Sequence, residues 1–103
     1  MKTELERAGV IRFFEVTIEL AWKVQKDYLE SEGHLVRSPR ATIKQSYQDG
    51  LIEDGHTWMD ALDKRNSTTH TYDEVLAEKL VNEIIQRFLP AFKQLYITLR
   101  EKL

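Results

Sequence analysis

The segment from Thr3 to Ser31 carries apolar side chains around most of a helical circumference, and this constrains the fold more than any other feature of the chain. Its polar residues recur at steps of three or four and fall in one narrow arc at about 100° per residue: Arg12, Glu15, Glu19, Lys23, Lys26 and Glu30. The rest of the circumference is apolar: Val10, Ile11, Phe13, Phe14, Val16, Ile18, Leu20, Ala21, Trp22, Val24, Tyr28 and Leu29. A surface helix of a small bundle needs only one apolar stripe. This helix must therefore bury two or three faces, so it is either central in the fold or shared with another subunit.

A turn and a cap then separate the first helix from a shorter one. Gly33 is suited to terminate the first helix, and Ser38-Pro39 has the form of an N-cap followed by proline at the first helical position. A helix over Pro39–Gln48 is expected to follow, ended by Asp49-Gly50. Three of its side chains are available for packing: Ala41, Ile43 and Tyr47.

Two further helix starts are marked by a threonine with an acidic residue three positions later. Thr57-x-x-Asp60 predicts the start of a third helix, and Thr71-x-x-Glu74 predicts the start of a last long segment. That last segment has a continuous apolar face: Leu76, Leu80, Ile84, Phe88, Phe92, Leu95 and Leu99. Pro90 removes one backbone hydrogen bond and is expected to kink or split the segment.

These elements predict an all-α fold, an antiparallel helical bundle of up-down type with two long and two short helices. The chain has 103 residues, which suits a single domain over residues 1–103 with a modest core. With only 4 glycines and 2 prolines, a turn-rich β protein is disfavoured.

Composition narrows the classes of function. The chain has no cysteine, which rules out a disulfide scaffold and a thiolate metal site and fits the cytoplasm. No apolar run approaches the roughly 20 residues of a membrane span. A net charge of -2 argues against a protein that coats nucleic acid non-specifically. We therefore expect a cytoplasmic protein with no membrane association, no metal and no cofactor.

The stretch from Arg65 to Tyr72, Arg-Asn-Ser-Thr-Thr-His-Thr-Tyr, places a cation, an imidazole and a phenol within a run of short polar residues. Because such side chains compete with the helix backbone for hydrogen bonds, the run tends to end a helix or form a turn. A turn can hold Arg65, His70 and Tyr72 together, where a continuous helix could not. Arg65 offers a planar donor fork suited to phosphate oxygens, and His70 titrates near neutrality.

The R-x4-H-x-Y spacing of this stretch resembles the signature of HEPN-type nucleotidyltransferase substrate-binding proteins, the helical partners of minimal nucleotidyltransferases. Phe14-Glu15 and Glu19-Leu20-Ala21-Trp22-Lys23 are similar to that family's long helix, in which an F-E-x-x-x-E-L-A-W-K string recurs. Ser38-Pro39-Arg40 resembles its connecting segment, and Trp58-Met59-x-x-Leu62 resembles its approach to the motif. These strings lie in the family's order over most of the chain.

One departure from the family pattern concerns the start of the sequence. Members usually carry a further amphipathic helix before the long one, whereas this sequence opens almost directly at the long helix. Either the bundle lacks that helix, or the sequence begins part way into a longer chain. At about 25 cal/mol per Å², an exposed aromatic face is costly and prone to aggregate. We therefore expect a homodimer or higher oligomer with the first helix in the interface.

The resemblance implies an accessory subunit that presents substrate to, or is the target of, a separate minimal nucleotidyltransferase. The alternative is a metal-independent ribonuclease toxin neutralised by a nucleotidyltransferase antitoxin, which leaves enzymatic activity open. By resemblance, Arg65, Asn66 and His70 bind the phosphate of RNA or a nucleotide, and Tyr72 accepts a nucleotide from the partner. In the ribonuclease alternative Arg65 and His70 are catalytic. A third interpretation, a structural helical dimer whose motif only shapes a turn, also stays open.

Other residues carry weaker signals. Glu19 and Lys23 have the i,i+4 spacing of an ion pair on a helix. His34 and His56 fall in predicted loops and are interpreted as surface residues. Two tryptophans are interpreted as core or interface anchors: Trp22 and Trp58. Three basic residues are the only hint of a secondary phosphate-binding patch: Arg37, Arg40 and Lys44. The chain has no glycine-rich phosphate loop and no nucleotidyltransferase signature, so it is not itself the nucleotide-transferring subunit.

Overall fold

The computed structural model describes residues 3–67 and 73–103, and every regular element within these ranges is helical. Five α-helices and one π-helical segment follow in chain order: α1 Glu4–Ser31, α2 Pro39–Gln48, α3 Gly55–Ser67, α4 Glu74–Glu83, the π segment Ile84–Phe88 and α5 Leu89–Lys102. Because α4, the π segment and α5 follow one another without a break, the bundle has two long and two short helical units. The predicted all-α class is confirmed.

Helix α1 begins and ends at local hydrogen bonds that the sequence encodes. The Thr3 hydroxyl accepts a hydrogen bond from the Glu6 backbone N at 3.1 Å, and the Glu6 carboxylate accepts one from the Thr3 backbone N at 2.9 Å. Gly33 follows the helix at φ 93°, in the left-handed region that glycine enters at little cost. Its turn lets the backbone N of His34 donate to the carbonyl of Leu29 at 2.9 Å. The predicted helix is confirmed.

The start of α2 is as predicted, whereas the start of α3 is not. The Ser38 hydroxyl accepts from the backbone N of Ala41 at 3.1 Å, and Pro39 occupies the first turn. In α3 the carboxylate of Asp54 accepts from the backbone N of Thr57 at 3.0 Å, so Asp54 is the capping residue. The predicted capping box opening at Thr57 is wrong, because aspartate is the stronger N-cap residue and lies three positions earlier.

Helix α4 has its cap one residue before the predicted acidic position. The Asp73 carboxylate accepts from the backbone N of Val75 at 2.8 Å, which makes Glu74 the first helical residue. The predicted capping box Thr71-x-x-Glu74 needs Glu74 at the third helical position. That placement of Glu74 is wrong, since Asp73 caps the helix. Thr71 itself lies outside the described residues.

Pro90 splits the last helical unit, as predicted, and it does so through a π turn. Pro90 lies in the first turn of α5, and the π segment comes directly before it. The backbone N of Leu89 donates to the carbonyl of Ile84, five residues back. Since proline has no N–H to donate, the helix changes its hydrogen-bond step there instead of ending.

Contacts between the long helices fix their directions. Three contacts at successive levels join α1 to the last helical unit: Arg7–Glu74, Phe14–Phe88 and Tyr28–Lys102. These two units therefore run the same way. Two ion pairs join α3 to α4 and the π segment in reverse order: Lys64–Glu83 and Asp60–Arg87. Helix α3 therefore runs against both long units, which brings its C-terminal turn close to the middle of α1.

The core lies where α1, α3 and the last helical unit meet. Phe14 stacks on Phe88 at 5.3 Å between ring centroids and on Phe92 at 6.3 Å, and Trp58 meets Phe92 at 5.4 Å. Trp58 is buried, and Trp22 packs partly buried against the same cluster, so both tryptophans are core residues as predicted. Two residues expected to pack are instead exposed on α2: Ala41 and Tyr47. That prediction is wrong because α2 buries its other side through Thr42, Ile43 and Ser46.

Part of the apolar circumference of α1 remains exposed in the single chain. Phe13 keeps 53% of its accessible surface and Leu20 keeps 60%, although the neighbouring Phe14 and Ile18 are fully buried. Four residues at steps of three or four form what we call the α1 apolar stripe: Phe13, Val16, Leu20 and Val24. The sequence indicated more apolar faces than one small bundle covers, and this stripe is the uncovered part.

Candidate functional site

Arg65 lies in the last turn of α3, the helix that leads into the motif. Basic residues are favourable in this turn because it carries the negative end of the helix dipole, and Lys64 precedes Arg65 there. The Ser67 hydroxyl donates to the carbonyl oxygen of Lys64 at 3.1 Å, which satisfies one of the carbonyls left without a partner at a helix end. Helix α3 thus reaches Ser67, inside the polar run expected to end it.

The Arg65 side chain reaches from α3 to the middle of α1. Its Nη1 donates to Oε2 of Glu19 at 2.5 Å. Its Nε and Nη2 both point at Oδ1 of Asn66, at 3.4 and 3.1 Å. The side chain is 23% exposed, so the guanidinium is held from two sides at a position that solvent still reaches. Asn66 therefore contacts Arg65 directly, whereas the sequence only placed the two side by side.

Glu19 is a site residue that the sequence interpretation assigned to a different partner. Its i,i+4 spacing predicted an ion pair with Lys23, but among the described residues its partner is Arg65. The prediction is wrong because helix packing brings a planar, half-buried guanidinium to Glu19, whereas an exposed pair on one helix gains little. One signal was available in the sequence: Glu19 belongs to the family-like string of the long helix, as Arg65 belongs to the motif.

A second arginine, Arg7 of α1, binds Glu74, which follows the motif in the chain. The Arg7 side chain is only 7% exposed, and its Nη2 donates to Oε1 of Glu74 at 2.9 Å. Its Nη1 lies 3.8 Å from Oε1 of Glu78. Sequence reasoning missed Arg7 because its first partner is 67 positions away, beyond any local spacing rule.

His70 and Tyr72 lie outside the described residues, so their predicted roles stay predictions. The described residues on either side of them are both attached to α1, Arg65 through Glu19 and Glu74 through Arg7. Residues 7 and 19 are about 18 Å apart along the axis of a helix that rises 1.5 Å per residue. The two flanks of the motif are therefore fixed to one rigid element.

A charged network crosslinks the first half of α3 to the π segment. Nη2 of Arg87 donates to Asp60 at 2.8 Å and to the Thr57 hydroxyl at 3.3 Å, and its Nη1 donates to Glu83 at 3.0 Å. The hydrogen bond to Asp60 raises the pKa of Arg87 above its ordinary value. The Thr57 hydroxyl donates to Asp54 at 2.6 Å, and this bond holds the pKa of Asp54 below its usual range. The network is a structural crosslink, because its charged groups form ion pairs with one another.

The two histidines that the structure describes do not come together in one site. His34 and His56 each lie near one carboxylate, at 3.3 Å from Asp49 and 3.5 Å from Asp60. His56 is exposed as predicted, but it lies in the first turn of α3 and not in a loop. Within residues 3–67 and 73–103, no cluster of three or more side chains suited to hold a metal ion occurs. In the basic group, Arg40 is paired with an exposed carboxylate of α3 at 2.9 Å.

No helix in the described ranges has the length and apolarity needed to cross a membrane.

The chain matches a family of known proteins over nearly its whole length. The family model described as "Nucleotidyltransferase substrate binding protein like" matches residues 1–101. The match includes the string Glu19-Leu20-Ala21-Trp22-Lys23 and the motif from Arg65 to Tyr72.

Two individual proteins show the same relationship. A Haemophilus influenzae protein named "Probable ribonuclease HepT" is 32% identical over 82 residues, which cover 75% of this chain and 56% of that protein. The chain thus spans about half the length of this curated relative. A crystal structure of a protein from Thermus thermophilus aligns with a TM-score of 0.91 and 31% identity, covering 97% of this chain and 86% of that one.

Proposed function

This chain belongs to the family described as nucleotidyltransferase substrate binding protein like, and from that premise we propose that it is the accessory, substrate-binding subunit of a two-component minimal nucleotidyltransferase system. The catalytic chain of that system is a separate protein, and a cytoplasmic location is part of the proposal. The observation that carries it is the Arg65–Glu19 contact, which joins the two strings that distinguish the chain from an ordinary helical bundle. A turn-shaping motif alone does not require that contact.

The chemistry of Arg65 suits it to the phosphate of a nucleotide or RNA. A guanidinium offers planar paired donors that match phosphate oxygens, and it stays charged at every relevant pH. Glu19 and Asn66 fix the plane of the guanidinium before substrate arrives, which lowers the entropic cost of binding. In this proposal His70 supplies a proton donor or acceptor, and Tyr72 is the residue that receives a nucleotide from the partner.

The partnership is tested by mixing this chain with a purified minimal nucleotidyltransferase. We expect the two purified proteins to form a complex, and labelled ATP to transfer label to this chain. Arg65→Lys keeps the positive charge but loses the planar paired donors of the guanidinium, so we expect it to weaken transfer of the label. Arg12→Lys makes the same exchange at an exposed side chain of α1 and serves as the matched control. Absence of any complex between the wild-type proteins contradicts the proposal.

A second candidate is a metal-independent ribonuclease, favoured by the name of the Haemophilus influenzae relative. In that mechanism His70 removes the proton of a ribose 2′-hydroxyl, and the 2′-oxygen attacks the adjacent phosphorus. The 5′-oxygen leaves and takes up a proton, which yields a cyclic 2′,3′-phosphate and a free 5′-hydroxyl. Arg65 stabilises the charge that builds on the phosphorus oxygens. The nucleotidyltransferase is then the antitoxin.

Expression of the chain alone separates the two candidates. Growth arrest relieved by His70→Ala supports the ribonuclease, and unaffected growth supports the substrate-binding subunit. Tyr72→Phe removes the only phenol in the motif, so we expect it to abolish labelling by the partner. Full labelling of Tyr72→Phe places the acceptor on another residue.

We also propose that two copies of the chain associate through the α1 apolar stripe. Burying an exposed leucine or phenylalanine side chain is worth roughly 1.5–3 kcal/mol, so a stripe of four apolar residues favours association. Sedimentation at micromolar concentration is expected to show a dimer, and Leu20→Ser is expected to shift it toward the monomer. Leu35→Ser changes another exposed leucine, outside the helices, and serves as control. A monomeric wild-type protein at that concentration overturns this part of the proposal.

A further inference from the structure

A cleft opens between the last turn of α3 and α4, directly beside the Arg65 motif. Its volume is about 590 Å³, within the range of sites that hold small molecules. Lys64 and Ser67 line it from α3, and Leu76, Lys79 and Asn82 line it from α4. Neither the sequence motif nor the family match assigns a role to the α4 residues of this cleft.

The cleft has surplus positive charge in a chain whose net charge is -2. Glu83 lies 3.5 Å from Lys64, but it also accepts a hydrogen bond from Arg87 at 3.0 Å. Arg87 binds Asp60 in turn, so the charges of these four residues cancel. Lys79 adds an ammonium group that forms no ion pair with any other described residue. An anion is therefore the complementary ligand.

The cleft also has an apolar side. Leu76 is half exposed beside it, and Leu80 lies at its base with its side chain in the core. Residues 76, 79, 80 and 83 follow the i, i+3, i+4, i+7 spacing of one helix face, so the lysine and the leucines face the same space. A ligand with a flat apolar part and an anionic part fits this arrangement better than a simple ion does.

We propose that the α3–α4 cleft binds a phosphate-bearing nucleotide unit, with Lys64 and Lys79 on the phosphate oxygens and Leu76 against the base or ribose. Ser67 and Asn82 supply hydrogen-bonding groups for the sugar or base. Lys64 and Arg65 are consecutive residues at the end of α3, so the cleft lies next to the proposed phosphate-binding arginine. The inference therefore rests on the proposed function and adds a ligand class to it. The nucleotide unit belongs either to a free nucleotide or to an RNA strand, since both carry the same chemistry.

Binding of two probes tests the cleft: ATP and a fluorescent single-stranded RNA of ten nucleotides. Lys79→Ala and Lys64→Ala are each expected to weaken binding about tenfold, the value of one lost charge-assisted hydrogen bond. For the RNA probe, each variant is also expected to reduce the slope of log K against log salt by about one. Lys93→Ala, at an exposed lysine of α5, is expected to bind as the wild type does. Lys79→Arg is expected to retain binding.

The outcomes distinguish a free nucleotide from an RNA strand as the ligand. They also distinguish failure of the cleft inference from failure of the proposed function. Loss of both probes in Lys79→Ala supports a site for the nucleotide itself, and loss of RNA alone supports a site for a strand. Wild-type affinity in both lysine variants overturns the cleft inference, even if the chain still forms its complex with the nucleotidyltransferase. Failure of that complex is a failure of the proposed function instead. Equal thermal melting of all variants confirms that the lysine changes leave the fold intact.

Discussion

Arg65 of α3 and Glu19 of α1, 46 positions apart in the chain, form an ion pair that joins the two most characteristic strings of the sequence. The pair fixes the end of α3 against the middle of α1. It also sets the plane of the guanidinium, together with Asn66. Glu19 is thus a positioning residue for Arg65 in the proposed site, although it lies on a different helix.

Glu19→Gln is expected to lower the free energy of unfolding by about 0.5–1 kcal/mol, since both side chains keep contact with solvent and such pairs are worth little more. Chemical denaturation measures the change. Lys23→Gln, in the same helix and with no ion pair among the described residues, is the control and is expected to stay within about 0.5 kcal/mol. Equal effects of the two substitutions contradict the role assigned to the Arg65–Glu19 pair.

Arg87→Met is expected to destabilise the fold by about 1–2 kcal/mol, because methionine keeps most of the apolar stem but loses the hydrogen bonds to Asp60, Glu83 and Thr57. The expected loss is modest because the side chains of Arg87, Asp60 and Glu83 are about one third exposed. Urea denaturation with Arg12→Met, at a largely exposed arginine, provides the comparison. If Arg12→Met costs as much, the network is not the cause.

Asp54 is expected to make the stability of the fold depend on pH in the acid range. Its pKa is lowered in the folded state by the Thr57 hydrogen bonds, so its contribution is full above the ordinary aspartate pKa of about 3.9 and declines as pH falls toward the lower folded value. Asp54→Asn keeps the cap but cannot titrate, and is expected to flatten this part of the curve. Denaturation midpoints between pH 6 and pH 2 measure it. An unchanged acid slope in Asp54→Asn contradicts the assignment.

Phe14→Ala is expected to cost about 3–5 kcal/mol, because Phe14 is fully buried and stacks on Phe88 and Phe92. Thermal or urea unfolding measures the loss. Ile97→Ala removes apolar atoms at a half-exposed position of α5 and is expected to cost about 1 kcal/mol or less. If Phe14→Ala lowers the free energy of unfolding no more than Ile97→Ala does, Phe14 is not at the centre of the core between α1 and the last helical unit.

The end of α1 and the start of α2 were predictable, because the residues that cap them are neighbours in the sequence. Gly33 and the Ser38-Pro39 pair act as the sequence indicated. The errors at α3 and α4 arose from competition between neighbouring caps. Asp54 and Asp73 stand close to the predicted capping threonines, and aspartate is the stronger N-cap residue.

The sequence by itself determined the all-helical class, the order of the helices and the identity of the motif, because periodicity and caps are properties of neighbouring residues. Only the tertiary structure decided that Glu19 pairs with Arg65, that Arg7 holds Glu74, and that Lys79 shares a cleft with Lys64. Each of these relationships depends on which faces of two distant helices are packed together. That choice is made by the burial of the whole apolar surface, so no local spacing rule reveals it.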